Sequence, residues 1–179
     1  MAAIMREILR KYPKCEFGRE LFPGNPIPIL RVSGGKTTAD VADWGYLTQK
    51  GKRVYNARSE TLLEKPLFGK DFVQNRCVIP VTGFCEWDGD GTGWDFLPQE
   101  EEMLYLAGVC RKKTEGWEAT VVTEHASGCV GEIHHRTPLI LSGENLRQWL
   151  YDETQARQFL EEAKERVLLK RKKMEGETL

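Results

Sequence analysis

Glu86 closes an apolar run, residues 77–87, CVIPVTGFCEW. Runs of this kind, bounded by Pro80 and Gly83, predict short buried strands. An ionised carboxylate in such a place is costly to bury unless a partner or a reaction compensates. Alternation puts Phe84 and Glu86 on one face and Cys85 and Trp87 on the other. Cys85 therefore points away from Glu86 despite being its neighbour in sequence. A second candidate is residues 55–60, YNARSE, where Asn56 and Arg58 alternate with Ala57. An amide and a guanidinium on one face can hold a polar ligand by directed hydrogen bonds. The bland alternative is a turn-capping Asn and a surface Arg. A third is His134, with His135 beside it and Arg136 following. Imidazole exchanges protons near neutral pH, although a histidine beside a strand is more often packed or merely exposed. Adjacent histidines in an extended segment face opposite ways, so at most one shares a site with Glu86.

Residues 50–76 hold seven cations, Lys50, Lys52, Arg53, Arg58, Lys65, Lys70 and Arg76, against three acids, Glu60, Glu64 and Asp71. This local excess would suit a few phosphates; taken alone, a mixed solvated surface is the favoured explanation. The whole chain is net −1 with a pI near 6.3. It has no global positive field, so any nucleic-acid site is a local patch.

The elements that must position these residues follow from periodicity. Ile4, Met5, Ile8, Leu9 and Tyr12 form one helix face ending at Pro13. Strands are expected at 27–32, with Pro28 marking an edge or bulge, and at 42–47, interrupted by Gly45. Further strands are expected at 94–97, 103–109 and 119–123, and a loop runs into a strand over 131–141. Residues 62–72 read as helical in part, broken at Pro66. Residues 88–93, DGDGTG, read as an acidic hairpin tip. Helices are expected at 144–150 and 154–169, followed by a frayed basic tail at 170–179. Many short strands with helices near both ends predict an α+β fold, a curved, barrel-like, mostly antiparallel sheet with flanking helices. With 179 residues and 40% hydrophobic content, one domain spanning 1–179 is expected. No apolar stretch is long enough for a membrane-spanning helix, and no membrane partner is expected. Five cysteines without a CxxC pair fit a reducing, cytoplasmic location and lack structural zinc spacing. No metal or cofactor is expected.

Three segments together, NARSE at 56–60, RCVIPVTGFCEW at 76–87 and IHHRTPLIL at 133–141, resemble the SOS-response-associated peptidase family of abasic-site-processing proteins. Supporting pieces include FPGNPIPIL at 22–30, WGY at 44–46, EKPLF at 64–68 and VVTEHA at 121–126, so the resemblance covers roughly residues 17–151. It implies a single-stranded DNA partner carrying an abasic site, met by a monomer. In the family, self-processing exposes an N-terminal cysteine. Its amine forms a Schiff base with the ring-opened sugar, and its thiol closes a thiazolidine that links protein to DNA. The resemblance makes Asn56, Glu86 and His134 the catalytic set. It makes Arg58 and Arg136 phosphate ligands, with Trp44, Lys65 and Lys70 as further DNA contacts.

The sequence departs from the family pattern in places. Residue 2 is Ala, and the Met-Cys-Gly-Arg start is missing, as though the family's first strand were absent. Cys85 stands where the family usually has an aromatic, His135 where it often has Asp, and Thr137 where it often has Met. The Pro and Trp usual after WGY are also absent. The alternative function is therefore a single-stranded DNA binding module without covalent chemistry. An unrelated hydrolase using Glu86 and His134 would need a placed nucleophile, and none is evident.

Overall fold

A computed structural model describes residues 2–13, 17–18, 20–161 and 169–178. In chain order the elements are α1 (Ala2–Lys11), β1 (Pro26–Ser33), β2 (Lys36–Trp44), β3 (Tyr46–Leu47), β4 (Arg53–Val54), β5 (Asn56–Arg58), α2 (Gly69–Gln74), β6 (Arg76–Val81) and β7 (Phe84–Trp87). They continue with β8 (Thr92–Pro98), β9 (Leu104–Lys112), β10 (Trp117–His125), α3 (Gly128–Gly131), β11 (Arg136–Pro138), β12 (Ile140–Leu141), α4 (Gly143–Tyr151), α5 (Glu153–Glu161) and β13 (Leu169–Thr178).

The expected α+β architecture is present. An 8-stranded sheet runs β11-β10-β2-β1-β6-β9-β12, with β5 added beside β10. Because β10 also pairs with β9, strands β10, β2, β1, β6 and β9 form a closed ring, so the sheet curves into a barrel. The pairings are antiparallel except those of β10 with β2 and β5. Residues 118–124 of β10 are buried throughout, as expected of a strand flanked by neighbours on both edges and covered on both faces. A separate 3-stranded sheet, β13-β8-β7, carries Glu86 on its outer strand.

One core cluster lies under α2, α4 and α5, around Phe72, Val78, Val109, Leu139 and Trp149. Trp149 is fully buried and donates its indole N–H to the Cys77 carbonyl at 2.8 Å. Ser142 caps α4 by accepting from the Asn145 amide. A second cluster, around Ile27, Ile29, Ile79, Leu104 and Val121, receives Phe84 and Leu169 from the smaller sheet. It fastens that sheet to the barrel. Helix α1 buries Ile8 and ties to β2 through Glu7, which accepts from Thr38 and the Ala39 amide. Tyr12 also meets Asp40 on that strand.

Several boundaries depart from the sequence reading. The strand expected at 42–47 starts at Lys36 and is divided by Gly45, whose φ of 110° favours glycine. Of residues 62–72, only the part from Gly69 is α-helical. Pro28 lies in a strand with two neighbours, but β6 meets β1 only at Leu30 and Arg31, leaving the proline's end with one. The helix expected at 154–169 ends at Glu161 within the described residues. The expected frayed tail is corrected: Leu169–Thr178 is β13, paired antiparallel with β8. The edge of β8 supplies unpaired backbone groups, which override the low strand propensity of a lysine-rich segment.

Candidate active site

Glu86 lies on β7 directly opposite Trp94 of β8, while its neighbour Cys85 lies opposite Asp95. The alternation separates the two as expected. The Cys85 thiol is 3.0 Å from Asp95 Oδ1, and burial pushes its pKa up to about 12. A thiol so protonated is a poor nucleophile. The Glu86 carboxylate turns toward the segment before β11, where its Oε2 is 3.6 Å from His134 Nδ1. Both side chains keep some exposure, 26% for Glu86 and 32% for His134. Burial raises the Glu86 pKa above the usual carboxylate range, and the positive charge available to His134 acts against that rise.

His134 is held by its own surroundings. Its amide donates to the Val130 carbonyl at 2.9 Å. Its Nδ1 lies 3.0 Å from the Arg136 carbonyl oxygen and 3.2 Å from the Arg136 amide nitrogen. A neutral ring can accept from that amide, and a protonated one can donate to the carbonyl or face the carboxylate. Both protonation states find partners, which suits a proton carrier. Residues 134 and 135 precede β11 rather than lying in it. Their rings therefore sit side by side, centroids 4.4 Å apart, instead of facing opposite ways.

The remaining expected residues reach this end of the barrel by way of β10. On one edge of β10, Val121 and Thr123 are paired with Asn56 and Arg58 of β5. On the other edge, Thr123 to His125 are paired with Pro138 to Arg136 of β11. Asn56 and Arg58 are exposed and Ala57 is buried, as the alternation requires. Among the described residues, Asn56 forms no hydrogen bond with Glu86 or His134. Arg136 is largely buried, and both of its terminal nitrogens bond the Glu60 carboxylate, at 2.6 and 3.1 Å. It also donates to the Thr123 carbonyl at 2.6 Å. His125 Nε2 is 3.2 Å from the same glutamate, and the Arg136 bonds hold the Glu60 carboxyl below the usual range.

Trp44 packs against the second core cluster and donates its indole N–H to the Tyr55 carbonyl at 3.2 Å. Lys65 and Lys70 are exposed, on the connection leaving β5 and at the start of α2. Among the described residues, neither lysine forms an ion pair. Glu60, the last residue of NARSE, carries no role predicted from the sequence. Among the described residues, no group of three His, Cys, Asp or Glu is arranged to hold a metal, and no helix is long and apolar enough to cross a membrane. Cys77 and Cys110 are buried, and Cys15 lies outside the described residues.

A barrel with a second small sheet, and an acid–imidazole contact between them, characterise the fold and its site. The model of the SOS response associated peptidase (SRAP) family matches residues 8–175, and the chain belongs to that family. Abasic site processing protein YoqW of Bacillus subtilis is 32% identical over 119 residues, covering 62% of this chain and 53% of the relative. Abasic site processing protein HMCES of Gallus gallus is 34% identical over 124 residues, covering 53% of this chain and 37% of the relative. The chain thus spans about half or less of the length of these two relatives. The fold is shared with a solved protein from Bacteroides thetaiotaomicron, at a TM-score of 0.75 and 19% identity over 97% of this chain and 87% of that one.

Proposed function

We propose that this chain processes abasic sites in single-stranded DNA, with Glu86 and His134 moving protons at the ring-opened sugar. The observation that carries the reading is the 3.6 Å contact between a half-buried carboxylate and a held imidazole on segments distant in sequence. The names of the relatives, abasic site processing proteins, support the substrate class.

The chemistry needs proton transfers at one carbon. An attacking amine adds to the C1′ aldehyde, and the carbinolamine then expels water to leave an imine. Glu86, its pKa raised by burial, can give a proton to the departing hydroxyl and recover one from the nitrogen. His134, with partners for both protonation states, serves the neighbouring sugar hydroxyl. Asn56 orients the amine without adding charge, and Arg58 receives a phosphate. Trp44, Lys65 and Lys70 complete the proposed DNA contacts, with Arg136 as the support of the site from below. Thiazolidine closure further needs an N-terminal cysteine. Neither the buried Cys77 and Cys110 nor the protonated Cys85 replaces it.

The test uses this chain preceded by Met-Cys-Gly-Arg and an oligonucleotide with one abasic site. On a denaturing gel a covalent band is expected, reduced by Asn56→Ala and His134→Ala and lost in Glu86→Gln. No band with the extended chain would sink the crosslinking reading. The sequence as it stands, assayed in parallel for binding, separates crosslinking from recognition without covalent chemistry.

A further inference from the structure

The strand β13 places a row of residues across the smaller sheet. Glu86 is directly opposite Trp94, and Trp94 is directly opposite Lys173. Directly opposed residues on neighbouring strands project from the same face. The carboxylate, the indole and the ammonium therefore share a face, with Lys173 about 10 Å from Glu86, two strand spacings away. Arg171 is on this face too, opposite Phe96, with its guanidinium 5.2 Å from the centre of the Trp94 ring. Arg171 also pairs with Glu132, just before His134. The bridge fastens β13 to the segment that carries the imidazole.

Four consecutive cations, Lys170 to Lys173, occupy this strand, and all four are exposed. Of the acids near them, Glu132 pairs with Arg171, and Asp88, which has three other donors, also feels the charge of Lys173. Asp88 accepts from the Trp94 indole at 2.9 Å and from the amides of Asp90 and Thr92 at 3.0 and 2.9 Å. Cations interleaved with an aromatic ring, beside a site on the same face, suit a single strand of nucleic acid.

We propose that β13 is a phosphate rail, in which Lys173, supported by Arg171, holds the DNA backbone next to the Glu86–His134 contact. This rests on the reading that the substrate is single-stranded DNA. Arg58 belongs to the barrel sheet and Lys173 to the smaller one, so in this proposal the strand is gripped from both sheets.

The test measures binding of the full chain to a fluorescent single-stranded oligonucleotide carrying one tetrahydrofuran abasic site, by anisotropy across a salt series. The variants are Lys173→Gln and, as a control on the same strand, Lys170→Gln, whose alternation turns it to the other face. One phosphate contact contributes about 0.7 to the slope of log affinity against log salt for single strands. Lys173→Gln is expected to flatten the slope by about 0.7 and to weaken binding about fivefold near 0.1 M salt. Lys170→Gln is expected to match the wild type. If Lys173→Gln keeps the wild-type slope, or if both variants lose equally, the rail is overturned and the functional reading stands. If the wild-type chain does not bind the oligonucleotide at all, that reading falls and the rail with it.

Discussion

Arg136 grips both carboxylate oxygens of Glu60, although 76 positions separate them in sequence, while its own main chain holds the ring of His134. On the proposed reading, the pair supports the site through geometry. Glu60→Gln leaves a largely buried guanidinium without its counter-charge. A loss of about 1–3 kcal/mol in unfolding free energy is expected, read by urea titration. The pH dependence has a definite sign. The folded-state pKa of Glu60 lies below the unfolded value, because Arg136 hydrogen-bonds the charged form. Its contribution is present above the unfolded carboxyl pKa and is lost as pH falls through the folded one. The variant and wild-type curves should converge at acid pH, and curves that stay parallel would remove Glu60 from this account.

Glu86 carries the opposite sign. Burial raises its folded-state pKa, so ionisation opposes folding as pH rises from the ordinary carboxyl range through the raised value. Glu86→Gln should be at least as stable as wild type at neutral pH, with any advantage gone at acid pH. Processing of an abasic oligonucleotide should nevertheless be lost. Paired thermal melts at two pH values and a gel assay read this out. A variant that is both inactive and markedly less stable at neutral pH would make Glu86 a structural residue instead.

Period-two patterns made part of this legible in the sequence. Asn56, Ala57 and Arg58 write their faces into three letters, and the structure exposes the first and third. The turn of Cys85 away from Glu86 follows from the same rule. What the sequence did not show depends on partners. Closure of the barrel rests on β10 pairing with four strands, and local periodicity contains no such information. The grip of Arg136 on Glu60 has no spacing signature. The segment from Lys170 to Lys173 reads as a solvated tail because lysine favours no strand by itself. It becomes one only where β8 offers its edge and Trp94 its ring.

Gly45 is where the chain leaves β2 and turns toward the residues of β5. Its φ is 110°, and a Cβ there would lie 2.5 Å from Tyr55 Cδ1. Gly45→Ala combines an unfavourable backbone region with a clash against the residue preceding Asn56. A destabilisation on the order of 2–3 kcal/mol is expected. Because β5 is displaced with Tyr55, activity of the folded fraction should fall as well. Urea unfolding and assays at a temperature where the variant remains folded separate the two effects. Unchanged stability would mean that the chain has another way around this corner.

Arg58 and Arg136 flank the end of β10 on opposite edges, yet their surroundings differ. Arg58 is exposed on β5, its guanidinium open to a phosphate. Arg136 is 11% exposed, and its terminal nitrogens are taken by Glu60 and the Thr123 carbonyl. Arg58→Gln should leave unfolding unchanged and flatten the salt dependence of single-stranded DNA binding by about 0.7, the share of one phosphate. Arg136→Gln should do the reverse. It takes the donor from the Thr123 carbonyl and the counter-charge from a partly exposed Glu60, lowering stability by about 1–2 kcal/mol, while the folded protein keeps its salt slope. Measured side by side, the two variants distinguish a residue that touches DNA from one that holds the site in place. An Arg136 variant with wild-type stability and a flattened slope would put its guanidinium on the phosphate after all.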